Sequence, residues 1–128
     1  MKPFIVLMPG MMCNQDVFSH QINVLENFFN VIVIEFNEHR DIELGVENLA
    51  SNLPNKFHLL GHSMGGIVAM ELVKQHSKRV LSLALLNTNP YKEKEEVKVR
   101  RNKILKELDA LDLISLMRSD YILSLIHI

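Results

Sequence analysis

The chain predicts an α/β fold, a three-layer sandwich with a parallel sheet, on three observations. Short apolar runs alternate with stretches of helical periodicity, the strand-like runs lack polar alternation, and turn residues punctuate the boundaries. Continuous apolar runs belong to strands buried on both faces, and strand–helix alternation calls for right-handed crossovers with helices on both sides of the sheet.

Phe4-Ile5-Val6-Leu7-Met8, closed by Pro9-Gly10, predicts a buried first strand. Over residues 15–29, Val17, Phe18, Ile22, Leu25, Phe28 and Phe29 recur at helical spacing behind the cap Asn14, so one amphipathic helix is expected. Residues 31–36 form a branched second strand, followed by a polar stretch over 37–41. Leu44, Val46, Leu49 and Leu53 predict a helix over 42–53 that Gly45 weakens and Pro54 ends. A third strand is expected over 57–60, a helix from Met64 to His76, and a fourth strand from Val80 to Leu86. Beyond Tyr91 the charges interleave, from Lys92 and Glu93 to Lys106, around the stripe Val97, Ile104, Leu105 and Leu108. Alternating signs describe a solvated helix face rather than a nucleic-acid patch.

Composition narrows the function classes. With 128 residues and 48% apolar content, the chain can bury one real core. Its 14 basic and 15 acidic side chains leave a net charge of -1, so no surplus field exists to hold nucleic acid or an anionic membrane. The single cysteine, Cys13, forms no internal disulfide, the N-terminus lacks a signal pattern, and no apolar run approaches the roughly 20 residues of a membrane helix. A cytoplasmic, soluble protein is expected, with its oligomeric state open.

The residues that carry chemistry are Gly61-His62-Ser63-Met64-Gly65-Gly66, a G-x-S-x-G pattern set directly between a predicted strand and a predicted helix. A chain that reverses sharply at Ser63 strains that residue, and side chains two before and two after would collide with backbone, which Gly61 and Gly65 avoid. The serine hydroxyl then stands above the sheet at the positive end of the next helix. A phosphate loop is excluded, since Ile67 and Val68 occupy the places of its Lys and Ser/Thr, and no G-x-G-x-x-G supports a dinucleotide site. No cofactor and no metal is expected.

With these residues the chain resembles the α/β-hydrolase superfamily, in particular small bacterial serine hydrolases that begin almost at the first parallel strand. The likeness spans roughly residues 4–112. It implies that Ser63 is the nucleophile of a serine esterase or thioesterase acting on a small-molecule substrate through an acyl-serine intermediate. It also implies that the turn Pro9-Gly10-Met11-Met12 supplies one oxyanion-hole amide, the N–H of Met11, and that Met64 supplies the other. The family's sheet order puts the first and third strands side by side, with the second on the far side of the first. Met8, Met11, Met12 and Met64 either line an adaptable acyl pocket or pack in the core. Other reactions on the same scaffold stay open, among them C–C bond hydrolysis, acyl transfer, lyase and cofactor-free peroxidase chemistry, as does a non-catalytic fragment.

In this family the acid and histidine follow the nucleophile. Here His20, His39, His58 and His62 precede Ser63, His76 closes the following helix, and Asn87-Thr88-Asn89 holds no carboxylate. Asp109, Asp112 and Asp120 fall in a cap-like segment, so the acid and base are expected to be absent from this chain. The expected organisation is the N-terminal part of a hydrolase core over 1–90, the start of a helical cap over 91–122, and a non-native tail over 123–128. That tail, Leu-Ser-Leu-Ile-His-Ile, is the translation of CTGTCTCTTATACACATC, a transposon end used in library preparation, and His127 within it is no candidate base. A truncated reading frame with a bare fourth-strand edge, poorly soluble and inactive alone, is therefore expected.

Overall fold

A computed structural model describes residues 1–36, 41–107 and 115. The calls on His39, Leu108, Asp109, Asp112, Asp120 and the tail 123–128 lie outside the described residues. The chain divides into two compact units at Pro90/Tyr91.

The first unit holds a parallel sheet in the order β2-β1-β3-β4, with β1 Phe4–Met8, β2 Asn30–Val33, β3 Phe57–His62 and β4 Val80–Leu86. Ile5 pairs with Val31 on one side and His58 on the other, and Gly61 at the end of β3 pairs with Met8 and Leu85. Alternate residues of β1 serve opposite faces, as the two-residue period requires. Val6 and Met8 join Phe57, Leu59, Val46, Val68, Ala69 and Leu72 in one core, whereas Ile5 and Leu7 pack with Phe18 in the other. The helices α2 Ile42–Ala50 and α3 Met64–His76 cover the first face, and α1 Ser19–Leu25 covers the second.

Four boundaries differ from the sequence reading, one being β3, which runs two residues past Leu60 to His62. The single helix over 15–29 is instead a 3-10 turn, Gln15–Phe18, followed by α1. Asn14 caps the turn, accepting the Asp16 N–H at 2.9 Å, and the tight turn reorients the chain before α1 begins. The second strand stops at Val33, three residues early, and α2 stops at Ala50, where Arg79 takes the C-terminal carbonyls. The Arg79 guanidinium donates to the carbonyls of Ala50, Leu53 and Pro54 at 2.8, 2.6 and 2.8 Å, and lies over the Phe57 ring. A cation at the helix C-terminus satisfies orphan carbonyls and complements the dipole.

Among the described residues β4 pairs only with β3, and its Leu81, Leu83, Leu85 and Leu86 are exposed. No helix among the described residues is long and apolar enough to cross a membrane. In the second unit, α4 Glu95–Glu107 carries exposed Val97, Val99 and Leu105, and Arg101 pairs with Glu93 at 2.7 Å.

Candidate active site

Ser63 stands alone between β3 and α3, at φ 54° and ψ −120°. For a residue with a Cβ this is a strained backbone, of order 1–3 kcal/mol. Its side chain makes no cap hydrogen bond to its own helix, which leaves the hydroxyl free of the duty a serine usually performs at that position. The Ser63 N–H donates to the Leu86 carbonyl at 2.9 Å, and the Gly66 N–H donates to the Ser63 carbonyl at 2.9 Å. Both bonds hold the reversal in place.

The glycines around it are dictated by contact. A Cβ on Gly61 would lie 2.5 Å from the Gly65 oxygen and 2.6 Å from the Gly66 Cα. On Gly65 it would meet the Met8 carbonyl oxygen, and the Pro9 oxygen at 2.5 Å. The third strand therefore runs into α3 at a distance only bare backbone permits. Gly10 serves the same approach from β1: a Cβ there would sit 3.2 Å from the Ser63 Cβ and 3.3 Å from His62 Nδ1.

The β1 turn closes with the Cys13 N–H donating to the Gly10 carbonyl at 3.1 Å, and Met12 within it has φ 59°. Met11, Met12 and Met64 line one open cavity of about 830 Å³, together with Cys13, Asn14, Val17, Glu35 and Phe36. The structure thus brings Met11 and Met64 to one cavity beside the elbow. Ser63 adjoins Met64 without itself lining the cavity. Met8 lies elsewhere, fully buried in the core, because its position on β1 faces α3 rather than the loop cluster.

The described histidines stay apart from this cavity. His20 is exposed, and His58 Nδ1 is 2.8 Å from the Ser82 hydroxyl, its ring edge-on to Phe29. His62 packs edge-on to Phe18 at 6.4 Å, its Nδ1 buried and without a partner among the described residues, as is Nε2 of His76. No cluster of three His, Cys, Asp or Glu side chains capable of holding a metal occurs among the described residues.

Glu35, Phe36 and Val17 are cavity residues that sequence reasoning missed. The available signal was position: Glu35 and Phe36 follow the carboxyl end of β2, and ligands of open α/β sheets bind beyond the carboxyl ends of strands at a switch point. Here β1 leads to α1 on one face while β3 leads to α3 on the other, so their loops part around a crevice.

A parallel sheet with a glycine-cradled serine at its switch point defines a class of α/β protein built around a strand–serine–helix elbow. A family model described as the alpha/beta hydrolase fold matches residues 40–113, more than half of the chain, and the chain belongs to that family. It is similar to the pimeloyl-acyl-carrier-protein methyl ester esterase of Aeromonas hydrophila, 29% identical over 98 residues, covering 69% of this chain and 39% of the relative. Its fold is similar to a thermophilic esterase from Thermogutta terrifontis, with TM-score 0.68 and 22% identity over 83% of this chain and 45% of that one. A carboxylesterase structure from the thaumarchaeon Nitrososphaera gargenis gives TM-score 0.70 and 19% identity, over 93% of this chain and 46% of that one. The chain spans less than half the length of each of these relatives.

Proposed function

We propose that the complete protein is a serine hydrolase of carboxylic esters or thioesters, acylated on Ser63. The observation that carries this reading is the strained Ser63 backbone, φ 54° and ψ −120°, between a parallel strand and a helix. Strain of that kind persists only where its surroundings enforce it, and it gathers at active sites. The similarity to a methyl ester esterase supports an ester of a carboxylic acid as the substrate class.

In this mechanism the Ser63 hydroxyl attacks the substrate carbonyl, passing its proton to a histidine base, and the tetrahedral oxyanion takes hydrogen bonds from the Met11 and Met64 amides. Collapse expels the alcohol or thiol, which leaves with a proton, and water then cleaves the acyl-serine. The base and its orienting acid belong, in this reading, to the part of the full-length protein beyond this chain.

The test is covalent labelling by a serine-directed fluorophosphonate, with turnover of activated esters by the full-length protein. Ser63→Ala is expected to abolish labelling and lower turnover by roughly 10⁴-fold or more. Turnover retained in that variant would overturn the assignment.

A further inference from the structure

The strand that receives the Ser63 amide joins the sheet through an irregularity. Phe57 of β3 pairs with Val80, but the next residue, His58, pairs with Ser82, so Leu81 is an extra residue on β4 and the ladder stays shifted as far as His62 and Leu86. The place of that bulge decides what reaches the elbow. Without it, the ladder begun at Phe57 and Val80 would set Leu85 opposite His62, and the Leu86 carbonyl would lie about 3.3 Å further along, past the Ser63 N–H that it now accepts at 2.9 Å. Thr88, whose side chain fills the space beside Gly66, would leave the start of α3 with it.

The apolar pattern does not choose between the two registers. β4 reads Val80-Leu81-Ser82-Leu83-Ala84-Leu85-Leu86, apolar on both faces apart from Ser82, so a one-residue shift exchanges apolar residues for apolar residues beyond it. The start of β4 does not choose either, because Lys56 donates to the Lys78 carbonyl and Arg79 reaches back to the Ala50 carbonyl, both ahead of the bulge. One polar pair distinguishes the registers. His58 Nδ1 and the Ser82 hydroxyl are hydrogen-bonded at 2.8 Å, one step past the bulge, and Phe29 braces the imidazole edge-on at 5.3 Å. In the ladder without the bulge, Ser82 would instead oppose Leu59, on the apolar face that α3 covers, and lose this partner.

We propose that His58 and Ser82 form a register lock: their hydrogen bond fixes the bulge at Leu81 and so seats the Leu86 carbonyl on the Ser63 amide, which makes both of them positioning residues for that serine. What the positioned serine does rests on the ester reading above, whereas its positioning stands on the sheet alone.

The test is amide hydrogen exchange in the full-length protein, followed by NMR at Ser63, because every passage between registers breaks the Ser63–Leu86 bond. Ser82→Ala is expected to speed exchange at Ser63 by roughly five-fold or more, the equilibrium worth of one hydrogen bond. His58→Leu is expected to do the same, and Ser82→Thr, which keeps the hydroxyl, to exchange like the parent. Arg79→Lys is the reference: its contacts lie ahead of the bulge, so it lowers global stability while leaving exchange at Ser63 unchanged. Exchange at Ser63 indifferent to both Ser82→Ala and His58→Leu, or quickened as much by Arg79→Lys, would overturn the lock. Ser82→Thr exchanging as fast as Ser82→Ala would overturn it too. Fluorophosphonate labelling of the parent keeps the two readings apart. Label taken at Ser63 while exchange ignores the pair sinks the lock alone, and exchange that answers to the pair in a protein that takes no label supports the lock and sinks the ester reading.

Discussion

Gly65→Ala isolates the steric demand of the elbow. The new Cβ would meet the Met8 carbonyl oxygen, the Pro9 oxygen at 2.5 Å and the Met8 carbonyl carbon at 2.6 Å. All three are backbone atoms of β1 and its turn, so no rotamer change relieves them. The start of α3 must instead move away from β1, and with it the packing of Val68, Ala69 and Leu72 on that strand. Forced overpacking costs about 3 kcal/mol at its upper range. Alanine returns about 1 kcal/mol through its better helix propensity, leaving a net loss of about 2 kcal/mol or more. Gly66→Ala provides the comparison, because its Cβ would meet Thr88 Cγ2, Cβ and Oγ1 at 2.5 to 2.7 Å, a contact with the loop after β4 rather than with the backbone of the central strand β1. Urea unfolding followed by far-UV circular dichroism measures both. A Gly65→Ala chain as stable as the parent, or less perturbed than Gly66→Ala, would refute the reasoning.

Ser63→Gly should raise stability by about 1 kcal/mol by releasing the strain at φ 54°, while abolishing probe labelling in the full-length protein; a lowered urea midpoint would contradict this. Arg79→Lys should lower stability by about 2 kcal/mol, since a single ammonium cannot reach the carbonyls of Ala50, Leu53 and Pro54 together, and unchanged unfolding would show that the fork is dispensable. Glu71 is held below the ordinary carboxylate range, first by the Gln75 amide and then by Lys74, and Lys74 is held above its own range, first by Glu71 and then by Glu43. The stability from this cluster is present above the unfolded Glu71 range and below the unfolded Lys74 range, and is lost as pH falls through the folded Glu71 value or rises through that of Lys74. The melting-temperature difference between the parent and Glu71→Gln should therefore vanish once the pH falls below the folded Glu71 value, on the acid side of the ordinary carboxylate range, and shrink with added salt. A difference that persists in acid would exclude the charge as its cause.

Strands β1 and β4 were legible over their full span, and β3 as far as Leu60, because each carries an apolar run; Gly61 and His62 end that run and hide the last two residues of β3. The end of β2 was not legible either. Ile34 still donates its N–H to the Leu7 carbonyl at 2.9 Å, but Phe36 is apolar because it is buried among Val46 and Phe57 rather than because it is paired in a ladder. Hydrophobicity reports burial, and burial has more than one source. The helix over 15–29 failed for a related reason: Phe28 and Phe29 satisfy helical spacing, yet the chain has already left α1 at Leu25 and is turning into β2. Gly61, Ser63 and Gly65 were legible because the G-x-S-x-G pattern is local in sequence, although the atoms that exclude a Cβ are not: at Gly61 they belong to Gly65, Gly66 and Ala69, and at Gly65 to Met8 and Pro9. Glu35 and Val17 were not, because sheet order brings them together and no local pattern records sheet order.

The same sheet order explains why Ser63 can remain strained. On its own, a β3–α3 junction would relax by rotating Ser63 toward an ordinary helical cap. Two separate elements prevent this: β4, through the bond from the Ser63 N–H to Leu86, and β1, whose end carbonyls lie so close to Gly65 that no Cβ fits there. Relaxation at one residue would disturb both. Because each contact uses backbone or a missing side chain, substitution of surface residues cannot tune the strain, whereas a single methyl group at Gly65 can disrupt the junction.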